Sequence, residues 1–229
     1  MNKILSLFLV AFTITINPIF AQQYSENTAE EILNFTTRAK TINLDNTNGS
    51  PFENEEFVLG SILSENNILI SNIYLRYNAY QDEFQIKQNP NAGDDKIQAI
   101  KKSTEFYVKM GDEIFTYKLP QDGMGGYYNI LVEGNKVDLL KKISKKFVEG
   151  QKSVTMMTGN HPNRLIDESS YVVAKDDKII EVTGSKNKIL EAIAGDQKNE
   201  LKKYTKSENL NVKKEDEMIK AVNYYNENL

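Results

Sequence analysis

The residues best suited to ligand binding are an arginine and its tyrosine neighbours in the stretch Tyr74-Leu-Arg-Tyr-Asn-Ala-Tyr80. A planar guanidinium can clamp a carboxylate or stack on an aromatic ring. On a strand, Tyr74, Arg76 and Tyr80 share one side and Tyr77 lies on the other. The same arginine could pair with a buried Asp or Glu and fix the register of the sheet, which is the role we favour. If the chain has a ligand site, we predict it at Arg76, Tyr74, Tyr77 and Tyr80.

Metal and acid–base chemistry have weaker support. His161, the only histidine, lies in the polar segment Thr158-Gly-Asn-His-Pro-Asn-Arg164 and has neither a second histidine nor a cysteine to join it. We therefore predict an exposed loop residue rather than a base or a metal ligand. Three acidic clusters offer oxygen ligands, but none follows the alternating spacing of an EF-hand. They are Asp94-Asp95, Asp176-Asp177 and Glu215-Asp-Glu217. The sequence predicts no metal and no cofactor.

Catalytic motifs are missing from the sequence as well. There is no Gly-x-Ser-x-Gly elbow and no thiol, and a pair of hydrolytic carboxylates cannot be identified from one chain. The glycine-rich stretch Gly123-Met-Gly-Gly126 precedes a predicted strand, so it indicates a turn rather than a phosphate loop. The one basic run, Lys141-Lys-Ile-Ser-Lys-Lys146, could contact anionic polymers, but lysines that guard a strand edge explain it better. The sequence therefore predicts a protein that is not an enzyme.

Short strands must position these residues. Alternating apolar residues, many of them Tyr or Phe, are separated at about ten-residue spacing by turns rich in Asn, Asp and Gly. The predicted strands cover residues 57–63, 73–80, 84–87, 104–109, 114–119, 127–132, 136–148, 170–174 and 179–182. This pattern predicts an α+β protein built on an antiparallel sheet, half-barrel or sandwich, with short C-terminal helices packed on it.

Helical periodicity appears at both ends of the strand region. Near the N-terminus, Ala29–Phe35 predicts a short helix with Ile32, Leu33 and Phe35 turned inward. Near the C-terminus, Ser185 is placed to cap a helix over Lys186–Ala194 that ends at Gly195.

Two further helices are predicted near residues 196–207 and 214–226. The last carries an apolar stripe, which we expect to pack on the protein's own body. The residues of the stripe are Met218, Ile219, Val222 and Tyr225.

The first 21 residues predict export. Lys3 precedes the apolar run 4–16, and Ala21 offers a small residue for cleavage, which is the layout of a secretory signal peptide and is too short to span a bilayer. Cleavage after Ala21 would release a periplasmic or secreted chain with no transmembrane segment. Loss of Lys3 would change the net charge from −4 to −5, which argues against nucleic-acid binding. We predict a polar segment over 22–56 and one β-rich domain over 57–229, with its C-terminal helices in 186–229.

Three segments resemble exported proteins of Bacteroidetes-type bacteria. They are Gly49-Ser-Pro-Phe-Glu-Asn-Glu-Glu-Phe57, Tyr74-Leu-Arg-Tyr-Asn-Ala-Tyr-Gln-Asp-Glu-Phe84 and the closing helix at 213–226 with its Tyr-Tyr-Asn. The resemblance implies bacterial export and a single domain, and it brings no catalytic residue. Export, the β-rich aromatic body and the lack of catalytic motifs together predict a non-catalytic binding or interaction module of the cell envelope, whose partner is an envelope component or a small molecule. The alternative is a carboxylate-dependent hydrolase of the envelope.

Overall fold

The computed structural model describes residues 29–120, 125–151, 161–175 and 178–229. The predicted signal peptide at 1–21, the pair Asp176-Asp177 and part of the glycine-rich stretch lie outside these residues. The helices are α1 Ala29–Phe35, α2 Lys186–Ala194, α3 Lys198–Ser207 and α4 Glu215–Asn228. The strands are β1 Thr36–Arg38, β2 Thr47–Asn48, β3 Val58–Leu63, β4 Ile68–Asn78, β5 Glu83–Lys87, β6 Gln98–Ile100, β7 Tyr107–Met110, β8 Glu113–Lys118, β9 Gly126–Val132, β10 Asp138–Lys142, β11 Lys145–Val148, β12 Asn163–Asp167, β13 Ser170–Lys175 and β14 Lys178–Glu181.

One large antiparallel sheet forms the body of the protein. Its eleven strands run in the order β1-β6-β5-β4-β3-β7-β8-β9-β10-β13-β14, so β1 and β14 are its edges and the sheet is open. A second, three-stranded sheet has the strand order β11-β12-β2. The predicted α+β class with an antiparallel sheet and short C-terminal helices is confirmed. Most connections are hairpins. Turn residues such as Asp82 and Gly111 adopt the positive φ that tight turns require.

The sequence missed several short strands and joined two others. Strands β1 and β6 have three residues each, too few to show an alternating pattern. The predicted strand 136–148 is divided between β10 of the large sheet and β11 of the small one. The break falls at Ile143 and Ser144. Ile143 is buried in the core, and the Ser144 carbonyl accepts a hydrogen bond from the Glu168 backbone N–H.

Aromatic rings fill the first part of the core. The Tyr77 ring lies 4.7 Å from that of Phe84, and the Phe84 ring lies 5.0 Å from Phe115 and 4.9 Å from Tyr127, centroid to centroid. The Phe84 contacts with Phe115 and Tyr127 are edge-to-face, the arrangement that the quadrupoles of the rings favour. All four residues are fully buried, and they come from four different strands. This cluster therefore fixes β4, β5, β8 and β9 relative to one another.

The C-terminal helices pack on the sheet and form the second part of the core. Ser185 accepts a hydrogen bond from the Lys188 backbone N–H, and Gly195 ends α2 at a φ of 52°, as predicted. The stripe on α4 packs on the protein's own body, which confirms the prediction: Met218, Val222 and Tyr225 are buried there.

The N-terminal helix contributes to the same body. Ile32 is buried and Phe35 packs edge-on against Phe106 at 5.7 Å, as predicted. The prediction for Leu33 was wrong, because its side chain is 56% exposed. A two-turn helix offers the core only a narrow stripe, and Leu33 lies a third of a turn away from Ile32. Within the described residues, every helix is too short or too polar to cross a membrane.

Candidate functional site

Arg76 is held in a stack of alternating cations and aromatic rings. Its guanidinium carbon lies 3.6 Å from the centre of the Phe52 ring and 4.4 Å from that of Phe57. The ammonium of Lys87 lies 4.8 Å from the centre of the Phe57 ring. We call Phe52, Arg76, Phe57 and Lys87 the cation–aromatic stack. It joins the segment before β3 to the outer face of β4 and β5.

Polar contacts complete the setting of Arg76. Its Nη2 donates to Gln85 Oε1 at 2.8 Å and its Nη1 to the Glu55 carbonyl at 3.1 Å. Its Nε is buried without a hydrogen-bond partner among the described residues. A neutral amide, a backbone carbonyl and two aromatic rings therefore surround the guanidinium where a buried carboxylate was expected. That Arg76 fixes the register of the sheet stays a prediction.

The structure does not bring the three predicted tyrosines together around Arg76. Tyr77 faces the aromatic core on the opposite side of β4 and is fully buried. Tyr74 is half-buried on the side of Arg76, and Tyr80 is exposed in the turn after β4. A ligand held by all four side chains at once would have to reach both faces of the sheet. Ligand binding at single members of this set stays a prediction.

Replacement of Arg76 by leucine is expected to lower the free energy of unfolding by roughly 1–3 kcal/mol, because two cation–π contacts are lost and Gln85 loses its donor. Arg76→Lys should fall between the wild type and Arg76→Leu, since it keeps the charge but not the plane. Urea unfolding measures both. The matched control is Arg38→Leu, at an exposed position of edge strand β1. Equal effects at Arg38 and Arg76 would contradict the role of the stack.

A second cluster, which the sequence analysis missed, surrounds Asp82 in the turn between β4 and β5. Asp82 Oδ1 accepts from Lys142 Nζ at 2.6 Å and from the Tyr77 hydroxyl at 2.5 Å. It also accepts from the Tyr127 backbone N–H at 3.1 Å, and Lys102 Nζ lies 3.4 Å from Oδ2. The Asp82 side chain is only 19% exposed. These contacts join three distant parts of the chain, at Lys102, Tyr127 and Lys142, to one carboxylate.

The charge state of this cluster follows from its contacts. Burial disfavours the Asp82 carboxylate, but the charge and hydrogen bond of Lys142, the Tyr77 hydroxyl and Lys102 outweigh it and lower the pKa of Asp82. Burial, together with the negative charge of Asp82, raises the pKa of the Tyr77 hydroxyl. Asp82 is therefore ionised and Tyr77 is a neutral donor at neutral pH. Because Asp82 accepts hydrogen bonds from three groups of the cluster, we infer that it serves as a structural anchor.

The basic run is also explained by ion pairs, and the edge interpretation was only half right. Strand β10 lies between β9 and β13, so Lys141 and Lys142 are not at an edge. Lys141 pairs with Glu215 at 2.9 Å, and Lys142 pairs with Asp82. Only Lys145 and Lys146 lie on an edge strand, β11 of the small sheet, and they pair with Asp167 and Glu168.

The best candidate for a ligand site is a cleft of about 540 Å³ between β13, β14, α2 and the start of α4. Its apolar part is formed by the buried side chains of Val182, Ile189 and Met218. Hydroxyl groups and three exposed charged side chains complete the lining. These polar residues are Ser144, Glu168, Ser169, Ser170, Tyr171, Glu181, Thr183 and Lys213.

A hydrogen-bonded network fixes one wall of this cleft. The Tyr171 hydroxyl donates to Glu215 Oε2 at 2.8 Å, and Lys141 pairs with the same oxygen. Burial opposes ionisation of Glu215, but the hydrogen bonds from Lys141 and Tyr171 lower its pKa. Since Tyr171 lies on β13 and Glu215 begins α4, the network holds the helix against the sheet at the mouth of the cleft.

The remaining predicted candidates lie at exposed positions. His161 is exposed, as predicted, and lines a separate cleft of about 420 Å³ with Arg164. Asp94 pairs with Lys87. Within the described parts of the chain, no group of three or more His, Cys, Asp or Glu residues is placed to hold a metal ion.

Neither the Asp82 cluster nor the cleft could be read from local patterns. The sequence pattern predicts only a turn at Asp82, because its lysine partner lies 60 positions further along the chain. The residues of the cleft meet only when α2 and α4 pack on β13 and β14. Comparison of the chain with models of protein families, with curated proteins and with solved structures found no match.

Proposed function

We propose that this protein is an exported, non-catalytic binding module of the bacterial cell envelope, and that its ligand binds in the cleft beside Tyr171. The observation that supports the proposal is that two charged side chains lining the cleft have no ion-pair partner among the described residues. Glu181 and Lys213 line it, and neither forms an ion pair within the described residues. Free opposite charges, hydroxyl groups and an apolar floor in one concavity are what a polar ligand needs for orientation.

The other ionisable clusters support the same conclusion by contrast. Asp82 and Arg76 have their contacts within the protein, so they stabilise the fold and offer little to a ligand. The predicted signal peptide and the resemblance to exported bacterial proteins support a place in the envelope. Because the cleft is polar, a soluble envelope component fits it better than an acyl chain.

The alternative, a carboxylate-dependent hydrolase, has one observation in its favour. Partial desolvation and the charge of Glu53 raise the pKa of Glu113, while that of neighbouring Glu215 is lowered. Carboxylates with separated pKa values can divide the roles of acid and base. However, Glu113 is exposed to solvent, where water screens such effects, and neither residue lines the cleft. The binding module is therefore the better-supported proposal.

Titration with soluble muropeptides, followed by amide chemical shifts, tests both proposals. We expect shifts confined to residues that line the cleft, namely 168–171, 181–184 and Lys213, and loss of binding in the double variant Glu181→Gln/Lys213→Met. The matched control is Glu200→Gln/Lys203→Met on the exposed face of α3. Equal loss in the control, or saturable shifts elsewhere, would reject the cleft. Turnover of the muropeptides that Glu113→Gln abolishes would establish the hydrolase instead.

A further inference from the structure

A second surface lies on the face of the large sheet near the hairpin of β3 and β4. A groove of about 390 Å³ is lined there by apolar side chains from four strands. They are Leu63, Tyr107, Ile114 and Ile130. Leu63 and Tyr107 are cross-strand partners, and Ile114 is 36% exposed. This surface is separate from the cleft of the proposed function and shares no residue with it.

The apolar floor extends beyond the groove in two directions. Ile68, the cross-strand partner of Leu63, is 65% exposed. At the other end, Ile130 packs against the cluster formed by Tyr128, Leu140 and Val172. A second cleft of about 310 Å³ adjoins the groove and shares Ser64, Glu65 and Tyr107 with it. The combined surface spans strands β3, β7, β8 and β9, so we expect an extended ligand rather than a single small molecule.

The rim of this surface is acidic. Glu65, Asp112 and Glu133 line the groove, and Glu105 lines the adjoining cleft. None of the four forms an ion pair among the described residues, and no lysine or arginine is among the lining residues. Burial, followed by the charges of Glu133 and Glu65, raises the pKa of the Tyr107 hydroxyl.

We propose that this groove binds a cationic amphipathic peptide segment of a partner protein. The apolar side chains of the segment would lie on Tyr107, Ile114 and Ile130. Its lysine or arginine side chains would meet the carboxylates of the rim, which form no ion pair within the described residues. Charge complementarity of this kind raises the association rate and selects the partner, while the apolar floor supplies affinity.

Fluorescence anisotropy with a labelled peptide of alternating leucine and lysine tests this proposal on the full mature chain. We expect saturable binding that weakens with salt, because the rim charges are exposed and screened. The triple variant Glu65→Gln/Asp112→Asn/Glu133→Gln should weaken binding about tenfold, since three exposed charge contacts are removed. Ile114→Ser should weaken binding at every salt concentration, because it removes apolar contact from the floor.

Two controls separate the groove from general electrostatic attraction. The variant Glu200→Gln/Glu208→Gln/Glu227→Gln removes the same charge from exposed positions near the C-terminal helices and should bind like the wild type. Spermine, which has charge but no amphipathic pattern, should compete poorly. Equal loss in the control variant, full competition by spermine, or no binding of the peptide would overturn the proposal. Thermal unfolding of each variant shows whether a loss of binding comes from loss of the fold.

Discussion

A chain truncated before Lys213 is expected to be unfolded or to aggregate. The truncation removes α4, whose Met218, Val222 and Tyr225 are buried against the sheet and the other helices. Burial of each side chain is worth roughly 1.5–3 kcal/mol, so the three together contribute roughly 4.5–9 kcal/mol, a large part of the roughly 5–15 kcal/mol that stabilises an ordinary domain. Circular dichroism and a urea melt measure the effect. A truncated chain that unfolds like the full-length protein would show that α4 is an appendage.

A point substitution in the same helix gives a graded version of this result. Asn226 is buried, and its Oδ1 accepts from the backbone N–H groups of Lys136 and Val137 at 3.2 and 3.1 Å. Its Nδ2 donates to the Val137 carbonyl at 3.0 Å. Asn226→Ala should therefore cost roughly 2–4 kcal/mol, because it leaves buried backbone groups without partners. Asn223→Ala, at an exposed position on the same helix, is the control and should cost under about 1 kcal/mol.

The last turns of α4 carry three consecutive side chains that pack against other parts of the protein. Tyr224 stacks on Tyr204 of α3 at 3.7 Å, Tyr225 is buried, and Asn226 binds the turn between β9 and β10. Each of the three side chains of Tyr-Tyr-Asn thus has a packing role. Likewise, the cation–aromatic stack joins Phe52 and Phe57 of the first motif segment to Arg76 of the second. The side chains of these motifs therefore hold separate parts of the fold together.

Local patterns predicted the C-terminal helices and the hairpin turns well, whereas the longest strand, β4, begins five residues before the predicted 73–80. The ten-residue rhythm of strands and turns, the Ser185 cap and the stripe on α4 depend on neighbours in sequence, and the structure confirms them. The strand order could not be predicted, because pairings such as that of β3 with β7 depend on contacts between segments that are distant in the sequence. Three-residue strands such as β6 carry too little alternation to be recognised.

The candidate sites were harder to predict for the same reason. Arg76 was recognised because its residue type stands out. Its partners Phe52 and Phe57 fall in the predicted polar segment 22–56 and at the start of the predicted strand 57–63, where nothing indicates a contact with Arg76. Lys141 and Lys142 belong to one basic run in the sequence, yet in the structure they form ion pairs with different residues, Glu215 and Asp82. A charged residue in a sequence therefore indicates little until the fold shows whether its charge is already paired.

Asp82→Asn is expected to lower the free energy of unfolding by roughly 2–4 kcal/mol at neutral pH. The substitution keeps the shape and tolerates the positive φ of 54°, so it isolates the charge. It leaves Lys142 largely buried without its counterion, and an uncompensated buried charge is costly. The second variant Asp82→Asn/Lys142→Met should recover part of the loss, because it removes the stranded charge.

The same residue predicts how stability depends on pH. Since contacts in the folded state lower the pKa of Asp82, its contribution is fully present above the unfolded pKa of about 3.9 and is lost as the pH falls through the lower folded value. Urea melts between neutral pH and acid should show this loss in the wild type and a smaller one in Asp82→Asn. Asp167→Asn is the matched control, because Asp167 also pairs with a lysine but its side chain is 80% exposed. Equal costs for Asp82→Asn and Asp167→Asn would contradict the anchoring role, because only a buried pair couples protonation so strongly to the fold.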